Sequence, residues 1–358
     1  MNKTSVYRQL WSWIVVVGVL CLMSGAAQAQ IDDTELTPLE ISQVAEIRHI
    51  LGEYAAEVWP GWELQLTPLL VRKGDFDYLI GHPDPPPEFV DIPSLTINGE
   101  TVFRMEGHLS PAPVATAWQV DALWAAAIPV RDEFQSAVDE LFGEGIIVLD
   151  DAAYIRAAVH EAFHAYQMNT FHGPESLPPA VMMTSSPAWL EDFSESQIAE
   201  LDANLLAEGQ TLNTALDPDA SLEEIAVAAS DFLRLRKERR VHLPSEALDF
   251  ERGTEWMEGA ARYVDTRLML LAGSPDYEPS MEAPAAGVVY PLADEVWSHF
   301  RAQVNDPVSI PGTYRDRFYV LGAAQMFVLD RLLPGWQTRL FTGEQMVEDL
   351  LNAALEER

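Results

Sequence analysis

The strongest constraint on the fold is a stretch near the middle of the 358-residue chain that is almost free of charge on every helical face. Residues 150–171 read DDAAYIRAAVHEAFHAYQMNTF, without proline, and the two aspartates at the start can cap a helix. We expect a helix of this composition to be buried, with its His and Glu side chains as the main polar group inside it. Buried polar groups need partners, so this helix predicts a site around them.

Two histidines of this stretch, His160 and His164, are four residues apart and therefore lie on one face of the predicted helix. Both imidazoles can point toward a single metal ion. Glu161 is rotated by about 100° from His160, because an α-helix has 3.6 residues per turn. It can stand beside a metal-bound water and accept its proton without binding the ion. The alternative is a pair of core histidines hydrogen-bonded to carboxylates.

A catalytic zinc site takes three protein ligands and a water molecule, so a third ligand is needed. The segment TEWMEGAARYVDTR offers Glu255 and Glu258, and we favour Glu258 because Gly259 and two alanines follow it. Small side chains would let this helix approach the histidine-bearing helix closely. Glu255 is the second choice, and a surface pair of Glu258 with Arg262 is the alternative to metal binding. His172 is expected to be a loop residue.

The order His160-Glu161-x-x-His164, followed much later by Glu258 in EGAARY, resembles the gluzincins of the MA clan of zinc peptidases. The resemblance implies Zn²⁺ held by His160, His164 and Glu258, with Glu161 as the general base. In the aminopeptidase branch of that clan, a Tyr-x-x-Gly at the start of a later helix supplies a hydroxyl to the transition-state oxyanion. Tyr319 in the segment YVLG fits that pattern, so the resemblance implies Tyr319 as the oxyanion donor.

The resemblance covers about residues 160–335 and has two departures. No Gly-x-Met-Glu-Asn-like segment, which those aminopeptidases use to hold a free amine, precedes the histidines. Where some gluzincins carry an aspartate four residues after the ligand glutamate, this chain has Arg262. Asp265 lies on nearly the same helical face as Glu258 and either orients a ligand or lies at the surface. Weaker candidates for the oxyanion donor are Tyr314, Tyr263, Tyr290 and His299.

The first thirty residues differ from the rest of the chain. Only Lys3 and Arg8 carry charge there, an apolar run covers residues 11–23, and a small-x-small Ala-Gln-Ala ends at Ala29. We expect residues 1–29 to be a signal peptide that is removed on export to the periplasm or the cell exterior. The alternative is an uncleaved membrane anchor, because the uncharged stretch is just long enough to span a bilayer. No later segment is apolar enough to do so.

Charge and cysteine content limit the partners. The net charge of −34 argues against nucleic acid or an anionic membrane surface as a partner. Cys21 is the only cysteine and would leave with the signal peptide, so zinc must be held by nitrogen and oxygen. The partner expected is a peptide or protein substrate, and the sequence indicates no oligomeric state. The basic run RLRKERR, residues 234–240, is expected to be a solvated helix end.

The pattern of elements predicts an α+β fold. Residues 30–130 are expected to form a smaller strand-containing region, with a hairpin that turns at Asn98-Gly99 and an edge that could pair with an extended peptide. Residues 131–358 are expected to form a larger, mainly helical, zincin-like catalytic region. In that region we expect a long helix over residues 245–271, which Gly253 could interrupt, and a loop over residues 273–312.

Together these features predict an exported zinc metallopeptidase. The alternative is an exported zinc-binding protein of the same fold that performs no turnover.

Overall fold

The structure is a computed structural model, and its residues fall into two compact units. The residues that it describes are 35–110, 113–170, 187–280, 287–310, 313–342 and 345–358. The sheet unit contains the described residues up to 170 together with 267–293, and the helical unit contains those of 187–266 and 294–358. The predicted signal peptide and His172 lie outside the described residues.

A six-stranded mixed sheet forms the centre of the sheet unit. Its strands are β1 (Leu69–Lys73), β2 (Phe76–Ile80), β3 (Val90–Ile97), β4 (Glu100–Glu106), β5 (Thr116–Val120) and β6 (Leu123–Pro129). The order across the sheet is β3-β4-β2-β1-β6-β5, so β3 and β5 are the edges. Neighbouring strands are antiparallel except β1 and β6, which are parallel. With the helices described below, this sheet confirms the α+β fold class.

Two hairpins of the sheet differ in how clearly the sequence marks them. The β3–β4 hairpin turns at Asn98 and Gly99, whose φ angles of 50° and 77° are left-handed as a tight hairpin turn requires. The β5–β6 hairpin, which was not predicted, pairs Val120 with Leu123 around Asp121, with φ 51°. Its Asp121-Ala122 turn has no glycine, so the usual turn signal is missing.

Among the described residues, four α-helices lie wholly within the sheet unit: α1 (Pro38–Glu53), α2 (Ala55–Val58), α3 (Arg131–Phe142) and α4 (Asp151–Thr170). Helix α1 begins with a capping box between Thr37 and Glu40. The predicted cap of α4 is confirmed, because the backbone N–H of Ala153 donates to Asp150 Oδ1 at 2.8 Å. Helices α3 and α4 pack on β6, and this is why the sheet unit extends past the predicted boundary at residue 130.

Helix α4 is tied to the sheet by one side chain near its C-terminal end. The Oδ1 atom of Asn169 accepts a hydrogen bond of 2.7 Å from the backbone N–H of Trp124, and Nδ2 donates to the Trp124 carbonyl at 2.8 Å. Nδ2 also donates to the carbonyl of Leu66 at 2.8 Å. These bonds fix how far along β6 the helix lies.

The described part of the helical unit consists of packed helices. They are α5 (Glu195–Ala215), α6 (Leu222–Arg240), α7 (Ser245–Thr254), a π-helix (Glu255–Gly259), the start of α8 (Ala260–Ala272), α9 (Ala293–Asn305), α10 (Asp316–Leu332), α11 (Trp336–Thr342) and α12 (Val347–Glu356). None of the helices in the described ranges is long and apolar enough to cross a membrane.

The long helix expected over residues 245–271 is continuous, but its irregularity is not at Gly253. The chain widens into the π-helix at Glu255–Gly259 instead. The loop expected over residues 273–312 is wrong in its second half, where α9 buries Phe300 and Val304. Prolines at 275, 279, 284 and 291 precede this helix, but residues 293–305 themselves contain none.

Residues 234–240 do form a helix end, and Arg234 and Lys237 are exposed as predicted, but the prediction of a solvated run is wrong for two of its arginines. Arg236 and Arg239 are 0% and 3% exposed, and they form the centre of a buried arginine–glutamate cluster in the helical unit. Arg236 pairs with Glu208 and Glu255, and Arg239 pairs with Glu208 and Glu251. Arg240 joins Glu251 to Glu348. The acidic partners come from other helices, so the sequence of α6 alone could not reveal them.

Candidate metal centre

The middle of helix α4 carries a compact polar group. The potential ligand atoms of His160, Glu161 and His164 all lie within 4.8 Å of one another. The three side chains are buried, with exposed fractions of 1%, 7% and 6%. In the described parts of the chain, no other set of three histidine, cysteine or acidic side chains meets in this way. The structure thus brings together the three residues that the sequence placed within one turn of a helix.

The two imidazoles face each other with the spacing that a zinc ion needs. The Nε2 atoms of His160 and His164 are 3.1 Å apart, and the rings are nearly perpendicular at 83°. Two nitrogens bound tetrahedrally to zinc at 2.0–2.1 Å would be about 3.3 Å apart. The observed pair needs an adjustment of only about 0.2 Å to reach that separation. The donor set and its geometry therefore fit Zn²⁺.

One hydrogen bond selects the tautomer of the His164 imidazole. Its Nδ1 donates to the Oε1 of Gln167 at 2.8 Å, so in the neutral ring Nε2 carries the lone pair. That lone pair points toward the Nε2 of His160. A metal ion bound between the two rings would need the lone pair in this direction. Gln167 was not predicted, although its position three residues after His164 places it on the same helical face.

Aromatic side chains hold helix α4 from another side. Phe163 packs edge-on against Trp59 and Trp62, with ring centroids 4.8 Å and 5.1 Å apart. Both tryptophans and Phe163 are almost fully buried. This packing sets the rotation of the helix about its axis, so the direction in which His160 and His164 point is fixed by the core.

Glu258 and Tyr319, the other two predicted site residues, lie in the helical unit and meet at a buried arginine. The Nη2 of Arg315 donates to Glu258 Oε1 at 2.7 Å, and its Nε donates to the Tyr319 hydroxyl oxygen at 3.4 Å. Glu258 is 8% exposed, so it does not form the surface ion pair considered as an alternative. Arg262 instead donates to Gln303 Oε1 at 2.7 Å. Arg315 was not predicted.

Glu255, the second choice for a ligand, belongs to the arginine–glutamate cluster. Its carboxylate accepts from Arg236 Nη1 at 2.9 Å and lies 2.7 Å from Nη2. Asp265 is 1% exposed and lies within hydrogen-bonding distance of Thr266 and Arg262, so it is not a surface residue. Of the two candidate carboxylates, Glu258 is the one that faces Tyr319 and Arg315.

Glu258 projects from the π-helix, and this helix crosses α10 at unusually close range. A Cβ atom placed on Gly259 would come within 2.8 Å of the Cα of Gly322, and one placed on Gly322 within 2.9 Å of the Cα of Glu255. Only glycine fits at both positions. The glycine of the Tyr-x-x-Gly pattern therefore has a structural role, which is to bring α10 against the turn that carries Glu258. Single π-turns within α-helices are frequent at functional sites.

Burial and the nearby Glu258 carboxylate raise the pKa of Tyr319 well above its ordinary value. The phenol therefore keeps its proton at neutral pH and is a hydrogen-bond donor. The other tyrosines considered for this role are bound to carboxylates: Tyr314 to Glu251, Tyr263 to Asp330 and Tyr290 to Glu46. His299 is exposed.

Comparison of the chain with protein-family models, with curated proteins and with solved structures found no match.

Proposed function

We propose that this chain is a zinc-dependent hydrolase of peptide bonds. The observation that carries the proposal is the pair of buried Nε2 atoms, 3.1 Å apart, with the Glu161 carboxylate in the same group. A structural zinc site is closed by four protein ligands and needs no adjacent carboxylate base. The buried Glu161 is therefore better explained by catalysis than by structure.

In this proposal His160, His164 and Glu258 would hold Zn²⁺, which would supply an activated water and polarise the scissile carbonyl. Glu161 would accept a proton from the attacking water, whose oxygen bonds to the carbonyl carbon, and would give it to the amine that leaves as the C–N bond breaks. The hydroxyl of Tyr319 donates a hydrogen bond to the oxygen that becomes negatively charged. The resemblance to gluzincins, carried by the same residues, supports a peptide as the substrate.

The sheet supports the same proposal from another direction. Strand β5 is an edge of the sheet, its neighbour β6 packs against α4, and β5 itself contacts α4. An extended peptide can add to such an edge by main-chain hydrogen bonds. A substrate so bound would run beside the helix that carries the histidines. We therefore propose β5 as the strand along which the substrate lies.

The test combines metal analysis with proteolysis. Purified protein is expected to contain one zinc per chain and to cleave an unstructured protein, with loss of cleavage on chelation. Glu161→Gln is expected to keep zinc and lose cleavage by several orders of magnitude. Glu140→Gln, an exposed glutamate on α3, is the matched control and should cleave normally. Zinc at one per chain without cleavage of a broad peptide library would support the zinc-binding protein instead.

We also propose that the protein works outside the cytoplasm, because residues 1–29 have the sequence of a signal peptide. The mass and N-terminal sequence of protein recovered after expression with an intact N-terminus test this. A mature chain that starts at Gln30 in the exported fraction is the expected result. An intact chain in the cytoplasmic fraction would contradict it.

A further inference from the structure

The environment of Arg315 points to a role in the proposed metal centre. Its guanidinium is buried, with 6% of the side chain exposed, and contacts both Glu258 and Tyr319. Arg315 and Tyr319 are four residues apart at the start of α10, on one helical face. A single rigid cation therefore contacts the carboxylate proposed to bind zinc and the hydroxyl proposed to stabilise the oxyanion.

Arg315 is held in place by the residues on either side of it. The Tyr314 hydroxyl donates to Glu251 Oε1 at 2.7 Å, within the arginine–glutamate cluster. The carboxylate of Asp316 accepts from the N–H and the hydroxyl of Thr313 at 2.5 Å and 3.0 Å. These bonds do not involve Glu258. The position of Arg315 is thus set independently of the carboxylate that it binds.

The π-helix that carries Glu258 is also fixed by contacts with its neighbours. Three residues before it, Glu255 is bound to Arg236 through two nitrogens, and Gly322 packs on the backbone of Glu255. Both partners of the Glu258–Arg315 pair are therefore fixed before they meet. Because both groups are already in place, the hydrogen bond between them stabilises one orientation of the carboxylate over the others.

We propose that Arg315 is a positioning residue of the metal centre, which holds the Glu258 carboxylate through Oε1 in one fixed orientation for metal binding. This inference rests on the proposed function. Arg315 also orients Tyr319: because Nε donates to the phenol oxygen, the proton of that hydroxyl points away from Arg315 and can be donated elsewhere. Hydrogen bonds to a metal-ligating carboxylate usually raise the metal affinity 10- to 100-fold.

The test measures metal binding in the full-length mature protein with three variants. Arg315→Met removes the donors, and Arg315→Lys keeps the charge but cannot bridge Glu258 and Tyr319 in the same way. Arg317→Met is the matched control, since Arg317 lies on the same helix and pairs with Asp202. The readouts are the zinc dissociation constant and the visible absorption spectrum of the cobalt-substituted protein, which reports ligand geometry.

We expect Arg315→Met to raise the zinc dissociation constant 10- to 100-fold and to change the cobalt spectrum. Arg315→Lys should give a smaller loss of affinity and an altered spectrum, and it keeps the test decisive where the Met variant does not fold. Arg317→Met should match the wild type in both. Unchanged affinity and spectrum in the Arg315 variants would overturn the inference while leaving the proposed function intact. Failure of the wild type to bind zinc would overturn the proposed function itself.

Discussion

Gly259 and Gly322 cross at a distance that leaves no room for a methyl group, because a Cβ on Gly259 would lie 2.8 Å from the Cα of Gly322. We predict that Gly259→Ala destabilises the protein by about 1–3 kcal/mol, since the two backbones must separate. The same separation would displace Glu258 and weaken zinc binding. Chemical denaturation and zinc titration measure the two effects.

The control for that substitution is Gly52→Ala, near the end of α1, where an added Cβ would meet Leu64 Cδ2 at an ordinary 3.5 Å. An alanine there should leave stability unchanged or increase it by up to about 1 kcal/mol, because glycine is a poor helix former. Equal stability of the two variants would show that the close crossing does not constrain the helices.

The choice between two glutamates can be decided by paired substitutions. Glu258→Gln should lower zinc affinity strongly, because it removes a proposed ligand, and should also destabilise the protein, because it weakens the partner of the buried Arg315. Glu255→Gln should leave zinc affinity unchanged and destabilise the protein by about 1–3 kcal/mol, because it weakens one partner of the buried Arg236 while Glu208 still pairs with it. Zinc titration and denaturation of both variants check this. Loss of zinc affinity in Glu255→Gln but not in Glu258→Gln would make Glu255 the ligand.

Gln167 is predicted to support zinc binding through His164. Gln167→Leu removes the acceptor of the Nδ1–H bond and should lower zinc affinity about 10- to 100-fold. Gln167→Glu should retain it, because a carboxylate also accepts that bond. Isothermal titration measures the zinc affinity of both variants. Gln119→Leu, at an exposed position on β5, is the control and should bind zinc as the wild type does. Identical affinity in all three variants would rule out a role for Gln167.

Acid should destabilise the helical unit through Glu251. Burial alone would raise the pKa of Glu251, but the guanidinium groups of Arg239 and Arg240 outweigh it and lower the pKa to about 2. A carboxyl whose pKa is lowered on folding stabilises the fold above its unfolded pKa and loses that contribution as the pH falls through the folded value. The stabilising free energy, about 3 kcal/mol, should therefore disappear between about pH 4.5 and pH 2.

Unfolding free energies measured across that pH range test this for the wild type and Glu251→Gln. The variant should be less stable at pH 7, with a shallower loss of stability in acid. Parallel curves for the two proteins would show that Glu251 does not carry the acid response.

The proposed substrate path predicts protection of a particular strand. When a peptide binds to Glu161→Gln, which should not cleave it, backbone amides of β5 should exchange more slowly with deuterium. Those of β3, the opposite edge of the sheet, should not change. Protection at β3 alone would move the substrate to the other edge.

Local signals account for what the sequence predicted well. His160, Glu161 and His164 are brought together by helical periodicity alone, and Asn98-Gly99 forms a turn by its own backbone preferences. That Glu258 and Tyr319 complete the site with the histidines stays a prediction, since it depends on residues far apart in the chain.

Long-range pairings account for what the sequence did not reveal. Arg236 and Arg239 read as a solvated basic run because their partners, Glu208, Glu251 and Glu255, come from other helices. Arg315 has no local signal for the same reason, since Glu258 lies 57 positions away. Ion pairs of this kind are specified by packing and not by periodicity.

Asn169 fixes the position of helix α4 along the strands of the sheet unit. By binding the N–H and the carbonyl of Trp124, it locks the histidine helix at one register against β6, and β6 in turn sets the register of β5. A peptide paired along β5 would then pass the histidines at a constant number of residues from where its pairing begins. In the proposed peptidase, the cleaved bond would then be determined by its distance along the paired strand, and the identity of the neighbouring side chains would matter less.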